Sequence, residues 1–412
     1  MTHYRWARRT ASAAIVFFLI ALHLNVPLRA QGAPQEPDPD SVRVRLGPLW
    51  LNPGLALTNA GVDTNVFYEP ESLQPERDFT ITVTALSDYW LRMGRTWIAG
   101  QVKEDLVWFQ TFAQERSANQ SYSAYWLVPL NRLRMSAGAN WINTRERPGF
   151  EIDARSRRQE LAGSGTLELR ALSKTFVGAR VDRRVVNFDE TAQFLGANLQ
   201  QELNRTVSAQ ALTVRHELTP LTSVSVEAVK GQDRFEFSPV RDSDSSRINT
   251  SITFAPYALI SGSAQFGYRE FQPRDKEVPG YTGSTISVNL SHVVRGSTRL
   301  GLQVLRDIQY SFEINEPYFL QTGFTVSAAQ QIFGPIDVEG RGGASALAYR
   351  ARGGTEDPTR TDHVRSVGGG VGYRLGQNLR IGFNVDHQKR TSDIVRLTYD
   401  GYRYGMAVGY GL

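Results

Sequence analysis

The sequence predicts an all-β fold, a transmembrane antiparallel β-barrel of about eighteen strands, within a range of about 16 to 18. Three observations predict it. The N-terminus has the form of an export signal, apolar and polar residues alternate through most of the remaining chain, and short turns interleave with longer polar loops. A helical membrane protein is excluded, because no later segment has about 18 consecutive apolar residues.

The N-terminus has the anatomy of a secretory signal. A basic region containing Arg5 and Arg9 precedes an apolar run from Ala11 to Leu22. Small residues follow, and we expect cleavage after Ala30 or Ala33. The alternative is an uncleaved helical anchor, for which the apolar run is too short to cross a membrane comfortably.

The chain divides into three predicted parts. Residues 1–30 are the signal peptide, residues 31–45 a disordered N-terminal lead, and residues 46–412 the outer-membrane β-barrel. The lead contains the sequence PQEPDPD, whose proline and acidic residues disfavour a packed core. The predicted location is therefore the outer membrane, reached after cleavage of the signal peptide.

Composition removes several classes of protein. The chain of 412 residues has no cysteine, which excludes disulfides, thiol nucleophiles and thiolate metal sites. The formal net charge is +5, but basic and acidic residues are interspersed and no basic stripe is present. We therefore expect no nucleic-acid partner and no cofactor.

Alternation is clearest in three segments. A strand that crosses the bilayer needs about 9 to 11 residues with apolar side chains on one face and polar or small ones on the other. The apolar rows are Ile286, Val288 and Leu290; Leu379, Ile381, Phe383 and Val385; and Tyr402, Tyr404, Met406, Val408, Tyr410 and Leu412.

The connections alternate in length. Short turns are predicted near residues 93–95, 130–131, 173–174, 219–221, 258–259, 295–296, 332–335 and 376–378. Longer loops are predicted near residues 59–77, 113–119, 144–157, 189–199, 238–246, 273–280, 313–317, 352–361 and 391–395. Short periplasmic turns and longer extracellular loops are typical of bacterial barrels, and the strict interleaving predicts an even number of strands.

Aromatic residues at the ends of these segments are candidates for the girdles that lie at lipid headgroup level. The alternative is that they fill the core of a soluble β-sandwich or propeller. The candidates are Trp90, Trp97, Trp108, Trp126, Trp141, Tyr310 and Phe312.

The segment GLALTNAGVDTNVFYEP, followed by DFTITVTALSDYW, resembles the start of the outer-membrane family described as putative β-barrel porin 2. Residues 63–67, DTNVF, carry the likeness. The resemblance implies an outer-membrane barrel associated with exopolysaccharide synthesis and export, with polysaccharide and periplasmic export proteins as partners. Many such barrels end in an aromatic residue, whereas this chain ends in Leu412, with Tyr410 two positions earlier.

The face opposite the apolar rows is predicted to line a wet, mixed-charge lumen. The alternative is that these charges are solvated or paired across strands and have no selective role. Arg183 and Arg306 fall on the apolar rows, so they lie near an interface or a bulge has shifted the register. The candidate lumen-lining residues are Glu168, Arg170, Arg180, Asp182, Arg184, Glu227, Asp337, Glu339, Arg341, Arg380 and Asp386.

No catalytic, cofactor-binding or metal site is predicted. The neighbouring pairs Ser291–His292, Asp362–His363 and Asp386–His387 invite a hydrolase interpretation, but adjacent strand residues point to opposite faces. The glycines at 342–343 and 368–370 have no following helix that would make a phosphate loop, so curvature or close packing explains them better. The charged loop at residues 352–365 lacks the ligand spacing of a calcium loop.

Three functions remain open. The first is a pore for exopolysaccharide export or for passage of polar solutes. The second is a plugged structural or adhesive surface barrel, and the third is a barrel-embedded hydrolase. The other expected partners are outer-membrane lipid, lipopolysaccharide and the barrel-assembly machinery.

Overall fold

The computed structural model describes residues 37 and 39 and residues 42–255, 258–353, 360–376 and 378–411. The predicted signal peptide and both predicted cleavage sites lie outside the described residues, as does most of the predicted lead. The strands are β1 (Val44–Leu46), β2 (Leu49–Asp63), β3 (Asp78–Met93), β4 (Thr96–Phe109), β5 (Ser117–Pro129), β6 (Leu133–Glu146), β7 (Ser156–Arg170), β8 (Thr175–Phe188), β9 (Gln193–Phe194), β10 (Ala197–Asn198), β11 (Arg205–Thr219), β12 (Thr222–Phe235), β13 (Ser243–Phe254), β14 (Ile260–Pro273), β15 (Tyr281–Val294), β16 (Thr298–Tyr310), β17 (Tyr318–Phe333), β18 (Ile336–Arg350), β19 (Thr361–Leu375), β20 (Leu379–Thr391) and β21 (Tyr399–Tyr410).

One closed antiparallel sheet forms the body of the protein. It contains 19 strands, of which β1 has only three residues and pairs with β2 alone, so eighteen strands make the wall. Each wall strand pairs with its neighbours along the chain, and β2 also pairs with β21, which closes the barrel. The predicted fold and the predicted count of about eighteen strands are confirmed.

The two ends of the barrel differ in the length of their connections. One end carries eight short turns, such as the two residues between β3 and β4, where Gly94 has a φ of 63°. Glycine adopts this left-handed conformation without steric cost. The other end carries nine longer loops, among them residues 147–155 and 189–204. These are the connections that the sequence predicts, and they define a periplasmic and an extracellular end.

Exposed apolar side chains make up much of the outer face of the wall. Leu161, Val181 and Val367 are 56–58% exposed, as expected of side chains that contact lipid. The wall strands have 12 to 16 residues. This is more than a strand needs to cross the bilayer, which takes about 9 to 11 residues. On β19 the row that contains Val367 continues with exposed Arg365 and His363 towards the loops, so this strand extends beyond the apolar band.

The girdle prediction holds for only part of its residues. Trp108 and Trp126 are 38% and 51% exposed on the outer face. Trp97 is buried on the opposite face, packed against Trp50 and Trp90, and Tyr310 and Phe312 lie among interior side chains. Trp90 pairs with Ala99 on the same inward row as Trp97, so it also faces inwards. The prediction was wrong for these four residues because a residue near a strand end can face either side of the wall.

A short helix, α1 (Leu199–Leu203), lies in the loop between β8 and β11. The Asn198 side chain caps it by accepting a hydrogen bond from the backbone N–H of Gln200 at 2.9 Å. Leu199 and Leu203 are buried against other loops at the extracellular end. Among the described residues, no helix has the length and apolar character needed to cross a membrane.

The DTNVF segment joins the first wall strand to the last. Asp63 accepts from Arg403 of β21 at 2.7 Å, and Thr64 exchanges hydrogen bonds of 2.8 and 2.9 Å with the backbone of Tyr402. The buried Asn65 amide donates to the carbonyl oxygens of Glu69 at 2.8 Å and Asp400 at 3.0 Å. The motif that carries the family resemblance therefore fastens the extracellular end of the seam.

The extracellular tip of the β16–β17 hairpin leaves the barrel wall. Pairing between β15 and β16 ends at Ile286 and Arg306, whereas pairing between β16 and β17 continues to Tyr310 and Tyr318. The Tyr310 ring lies 4.8 Å from that of Phe235 on β12. Because β12 is four strands away from β16 in the sheet, the tip must lean across the interior.

We predict that Asn65→Ala weakens the seam. The substitution leaves two carbonyl groups and the Glu69 N–H without their partner, and unpaired buried polar groups cost about 1–3 kcal/mol of folding free energy. The measurement is the denaturant dependence of heat-modifiable gel migration. Asn187→Ala, on an exposed residue of β8, is the control. Equal stability of the two variants would contradict the role of Asn65.

Candidate functional site

The candidate site is the barrel lumen, and Arg390 of β20 identifies the face that lines it. Its guanidinium donates to the carbonyl oxygens of Phe150 and Glu151, both at 2.9 Å. These residues belong to the loop between β6 and β7, far around the barrel from β20. A contact between distant parts of the wall runs through the interior, so the row of Arg390 faces inwards.

The same argument extends to other strands. Phe150 packs against Leu347 and Tyr349 of β18, and Ile152 belongs to a buried cluster with Phe188 of β8 and Phe235 of β12. Every predicted lumen residue lies on one of these inward rows or pairs with a residue that does, since strand residues alternate between faces. Their role as the lining of a pore stays a prediction.

Most of the predicted residues form ion pairs on the inner wall. On β8, Arg180 donates to Asp182 at 2.6 Å and to Glu227 of β12 at 2.7 Å. Glu168 accepts two hydrogen bonds of 2.7 and 2.8 Å from Arg215, a bidentate contact across strands. Arg184 lies 3.8 Å from Glu160, and Arg170 lies over the ring of Phe176.

A second ionic group lies on β18–β20. Arg341 makes bidentate contacts of 2.7 and 2.6 Å with Asp386 and a single contact of 3.2 Å with Glu339. Arg380 and Arg374 both contact Asp337, at 2.6 and 2.9 Å. The partners Arg374, Arg215 and Glu160 were missed because alternation identifies a face but not the register that brings two strands together.

Gly368 makes room for one of these pairs. A Cβ atom at this position would lie 2.0 Å from Oδ1 of Asp386, the oxygen that Arg341 contacts. The run of glycines at residues 368–370 therefore fits the expected role in close packing. The expectation of close approach fits Gly343, where a Cβ would lie 2.9 Å from the carbonyl oxygen of Phe324, but not Gly342, where the nearest atom would lie at 3.8 Å.

Arg183 and Arg306 face outwards, and a bulge does not explain them. The pairings of β8 and β16 are in continuous register at these residues. Arg306 lies where β15 and β16 separate and donates to the Thr322 hydroxyl at 2.8 Å. Arg183 is exposed in the extracellular half of β8. The position of Arg306 favours the interface explanation, whereas Arg183 lies between Val181 and the Leu161–Val185 pair, within the apolar band, and has no structural explanation.

The histidines do not form the neighbouring pairs of a hydrolase. His387 faces outwards and contacts Asp400 at 2.6 Å, whereas Asp386 faces the lumen. His363 is exposed, and Asp362 is buried against Arg390 at 2.6 Å. Among the described residues, no cluster of histidine and acidic side chains is arranged to hold a metal ion.

The loop at residues 147–155 folds into the barrel, and we call it the inward loop. Phe150 contacts a buried apolar group on β17–β19, while Ile152 packs with loops that descend from elsewhere on the rim. The Arg147 guanidinium also donates to the carbonyl oxygen of Val66 at 2.6 Å. The lumen is therefore narrower at this height than the number of strands suggests.

Two buried carboxyl groups hold the inward loop in place. Glu151 accepts from the Ser311 hydroxyl at 2.6 Å and from the backbone N–H of Phe312 at 3.3 Å. Asp153 contacts Arg390 at 2.8 Å. Burial raises the pKa of Glu151 to about 7 against the opposing effect of the Ser311 hydrogen bond. Burial also raises the pKa of Asp153 to about 7, although the charge of Arg390 opposes it.

A closed antiparallel barrel with an apolar outer face and a charged interior defines the class of outer-membrane β-barrels. The chain belongs to the family described as putative beta-barrel porin 2, whose model matches residues 38–410. The family suspected from the DTNVF segment is therefore confirmed. A search of curated proteins finds no match.

The chain is also similar, at low identity, to several solved porins. A BenF-like porin from Pseudomonas fluorescens Pf-5 is 10% identical, with 88% of this chain and 98% of that chain covered and a TM-score of 0.47. The outer membrane protein opdK from Pseudomonas aeruginosa is 10% identical, with coverages of 87% and 98% and a TM-score of 0.45. OccAB4 from Acinetobacter baumannii is 11% identical, with coverages of 90% and 99% and a TM-score of 0.46.

We predict that alkaline pH loosens the inward loop. A carboxyl group whose pKa is raised in the folded state stabilises that state below its unfolded pKa, and this stability is lost as pH rises through the folded value of about 7. The inward loop should therefore detach from the contacts that hold it inside the barrel more often at pH 8.5 than at pH 6. Single-channel current should show larger or longer openings at the higher pH.

Glu151→Gln provides the control for this pH effect. Glutamine keeps an oxygen that accepts from Ser311 but does not titrate. The variant should retain a smaller pH response, which Asp153 supplies. A response identical to that of the unchanged protein would show that Glu151 does not control the loop.

Proposed function

We propose that the protein is an outer-membrane pore through which small polar solutes diffuse. The observation that carries the proposal is the inner wall, where ion-paired side chains such as Arg180, Asp182 and Asp386 remain partly exposed. A buried apolar core has no need of such a lining, because burying charges costs more than burying apolar groups of the same size. A water-filled lumen does not impose that cost.

The inward loop would limit the size of the solutes that pass through the lumen. It crosses the barrel near the extracellular rim and packs against β17–β20, which leaves less room for a thick polymer chain. Membership of the family does not by itself supply a polysaccharide substrate. We therefore favour small solutes over exopolysaccharide, for which periplasmic export proteins would be the required partners.

The outer surface fits the other expected partners. In this proposal the apolar band contacts outer-membrane lipid, and the exposed polar residues nearer the loops contact the lipopolysaccharide headgroups. The last wall strand, Tyr399–Tyr410, is the segment that we expect the assembly machinery to bind. Cleavage of the signal peptide remains part of the proposal.

The experiment is conductance in planar bilayers with refolded protein whose heat-modifiable migration shows a closed barrel. We expect stable, stepwise ionic currents, because a wet polar lumen conducts. A folded barrel that never conducts would contradict the pore and support the alternative of a plugged structural or adhesive barrel.

The inward loop gives this experiment an internal test. Arg390→Gln removes the contacts with Asp153 and Asp362 and should free the loop, so the single-channel conductance should rise. Arg365→Gln, an equal change of charge at an exposed site on the outer face of β19, is the matched control. Equal conductance in the two variants would mean that the loop does not limit the current.

A further inference from the structure

Five arginines gather on the inner wall below the leaning tip of the β16–β17 hairpin. Arg158, Arg184 and Arg205 lie on the inward rows of β7, β8 and β11, and Arg247 and Arg269 lie on those of β13 and β14. We call these five residues the arginine cluster. It is continuous, because Glu160 interacts with the first three and Tyr310 with both Arg205 and Arg269.

The cluster carries more positive than negative charge. Three carboxylates lie within it, Glu160, Asp233 and Asp307, so five guanidinium groups face three acids. Asp307 serves two of the arginines, at 2.7 Å from Arg269 and 3.6 Å from Arg247. The ionic groups elsewhere on the wall are closer to neutral, as in the set formed by Asp337, Glu339, Asp386, Arg341, Arg374 and Arg380.

The register places like charges directly opposite each other. Arg247 and Arg269 are Cα partners on adjacent strands, an arrangement that is destabilising unless an anion lies between the side chains. Both are deeply buried, at 6% and 5% exposure. The two arginines share Asp307, and Asp233 also interacts with Arg269.

Several donors in the cluster have no acceptor. Among the described residues, buried nitrogen atoms without a hydrogen-bond partner include Nε of Arg205, Arg247 and Arg269 and Nη1 of Arg158. Native proteins rarely leave buried donors unpaired, because each costs free energy. Water can accept these hydrogen bonds, but it cannot compensate the excess positive charge.

A recess in the inner wall adjoins the cluster. It lies beside Arg247 and Asp307, and the side chains of Asn249, Thr285 and Ser287 contribute to its lining. These five side chains lie on the inward rows of β13, β15 and β16, and Ile286 and Arg306 of the outward rows also line the recess. The recess therefore opens on the inner face of the wall where β15 and β16 separate.

We propose that the arginine cluster binds an oxyanion, the carboxylate or phosphate group of a solute inside the barrel. A guanidinium presents planar, paired donors that match the geometry of these groups. A neutral solute leaves the excess charge uncompensated, and a cation is repelled. The inference rests on the proposed pore in one respect, since the solute must enter the lumen to reach the cluster.

The experiment measures binding separately from conduction. Inorganic phosphate and acetate are titrated into refolded, detergent-solubilised protein by isothermal titration calorimetry at constant ionic strength. We expect saturable binding that Arg269→Gln weakens about tenfold or more, as befits the loss of a charge-assisted hydrogen bond. Arg183→Gln, the same change at an exposed outward residue of β8, should leave binding unchanged.

Asp307→Asn separates recognition from a structural role. Removing this carboxylate frees Arg247 and Arg269 for the ligand, so oxyanion binding should tighten while heat-modifiable migration shows that the barrel remains closed. If the cluster only supports the wall, both Asp307→Asn and Arg269→Gln should impair folding and neither should tighten binding. That result would overturn the proposal.

Other outcomes are also decisive. Absence of saturable binding would overturn the site. Binding that survives both Arg247→Gln and Arg269→Gln would show an adventitious ion only and would also overturn it. A barrel that conducts but does not bind would overturn this inference and leave the pore intact. A barrel that binds but never conducts would support the oxyanion site and contradict the proposed function.

Discussion

Closure of the backbone ladder between β2 and β21 is the constraint on which the rest of the structure depends. A membrane offers no water to the N–H and C=O groups of a sheet edge, so an open sheet of these strands is not viable in lipid. Two sets of contacts close the sheet. Pairing of the two strands supplies the ladder, and the DTNVF segment fastens its extracellular end through Asn65 and the Asp63–Arg403 pair.

Closure also explains how much of the fold the sequence can predict. A wall strand has lipid on one side and the lumen on the other, so a period of two residues must persist through the chain. The strands, the eight turns and the nine loops follow from that period and from the turn residues. The same period predicts that Arg180, Glu227 and Arg380 face inwards, because a charge on the outer row is costly at mid-membrane height.

The arrangement of side chains within the lumen depends on contacts that cannot be predicted from the alternation of apolar and polar residues. The pairing of Glu168 with Arg215 requires the register across three strands, and the contact of Glu151 with Ser311 joins loops 160 residues apart. Tyr310 was expected at an interface and instead lies inside, because its hairpin leaves the wall above Arg306. The positions of these loops depend on side-chain packing at the extracellular rim. The two-residue alternation of the wall strands does not apply there.

The two faces of the wall have different roles, because one contacts lipid and the other faces the lumen. The outer rows must be apolar to contact lipid, so discrimination between solutes can reside only on the inner rows and in the loops that fold onto them. Ion pairs such as Arg341–Asp386 neutralise most of the inner charge and favour no sign of solute. Around Arg247 and Arg269 basic side chains outnumber acidic ones, and in the proposed pore this local positive charge would distinguish an anion from other polar solutes.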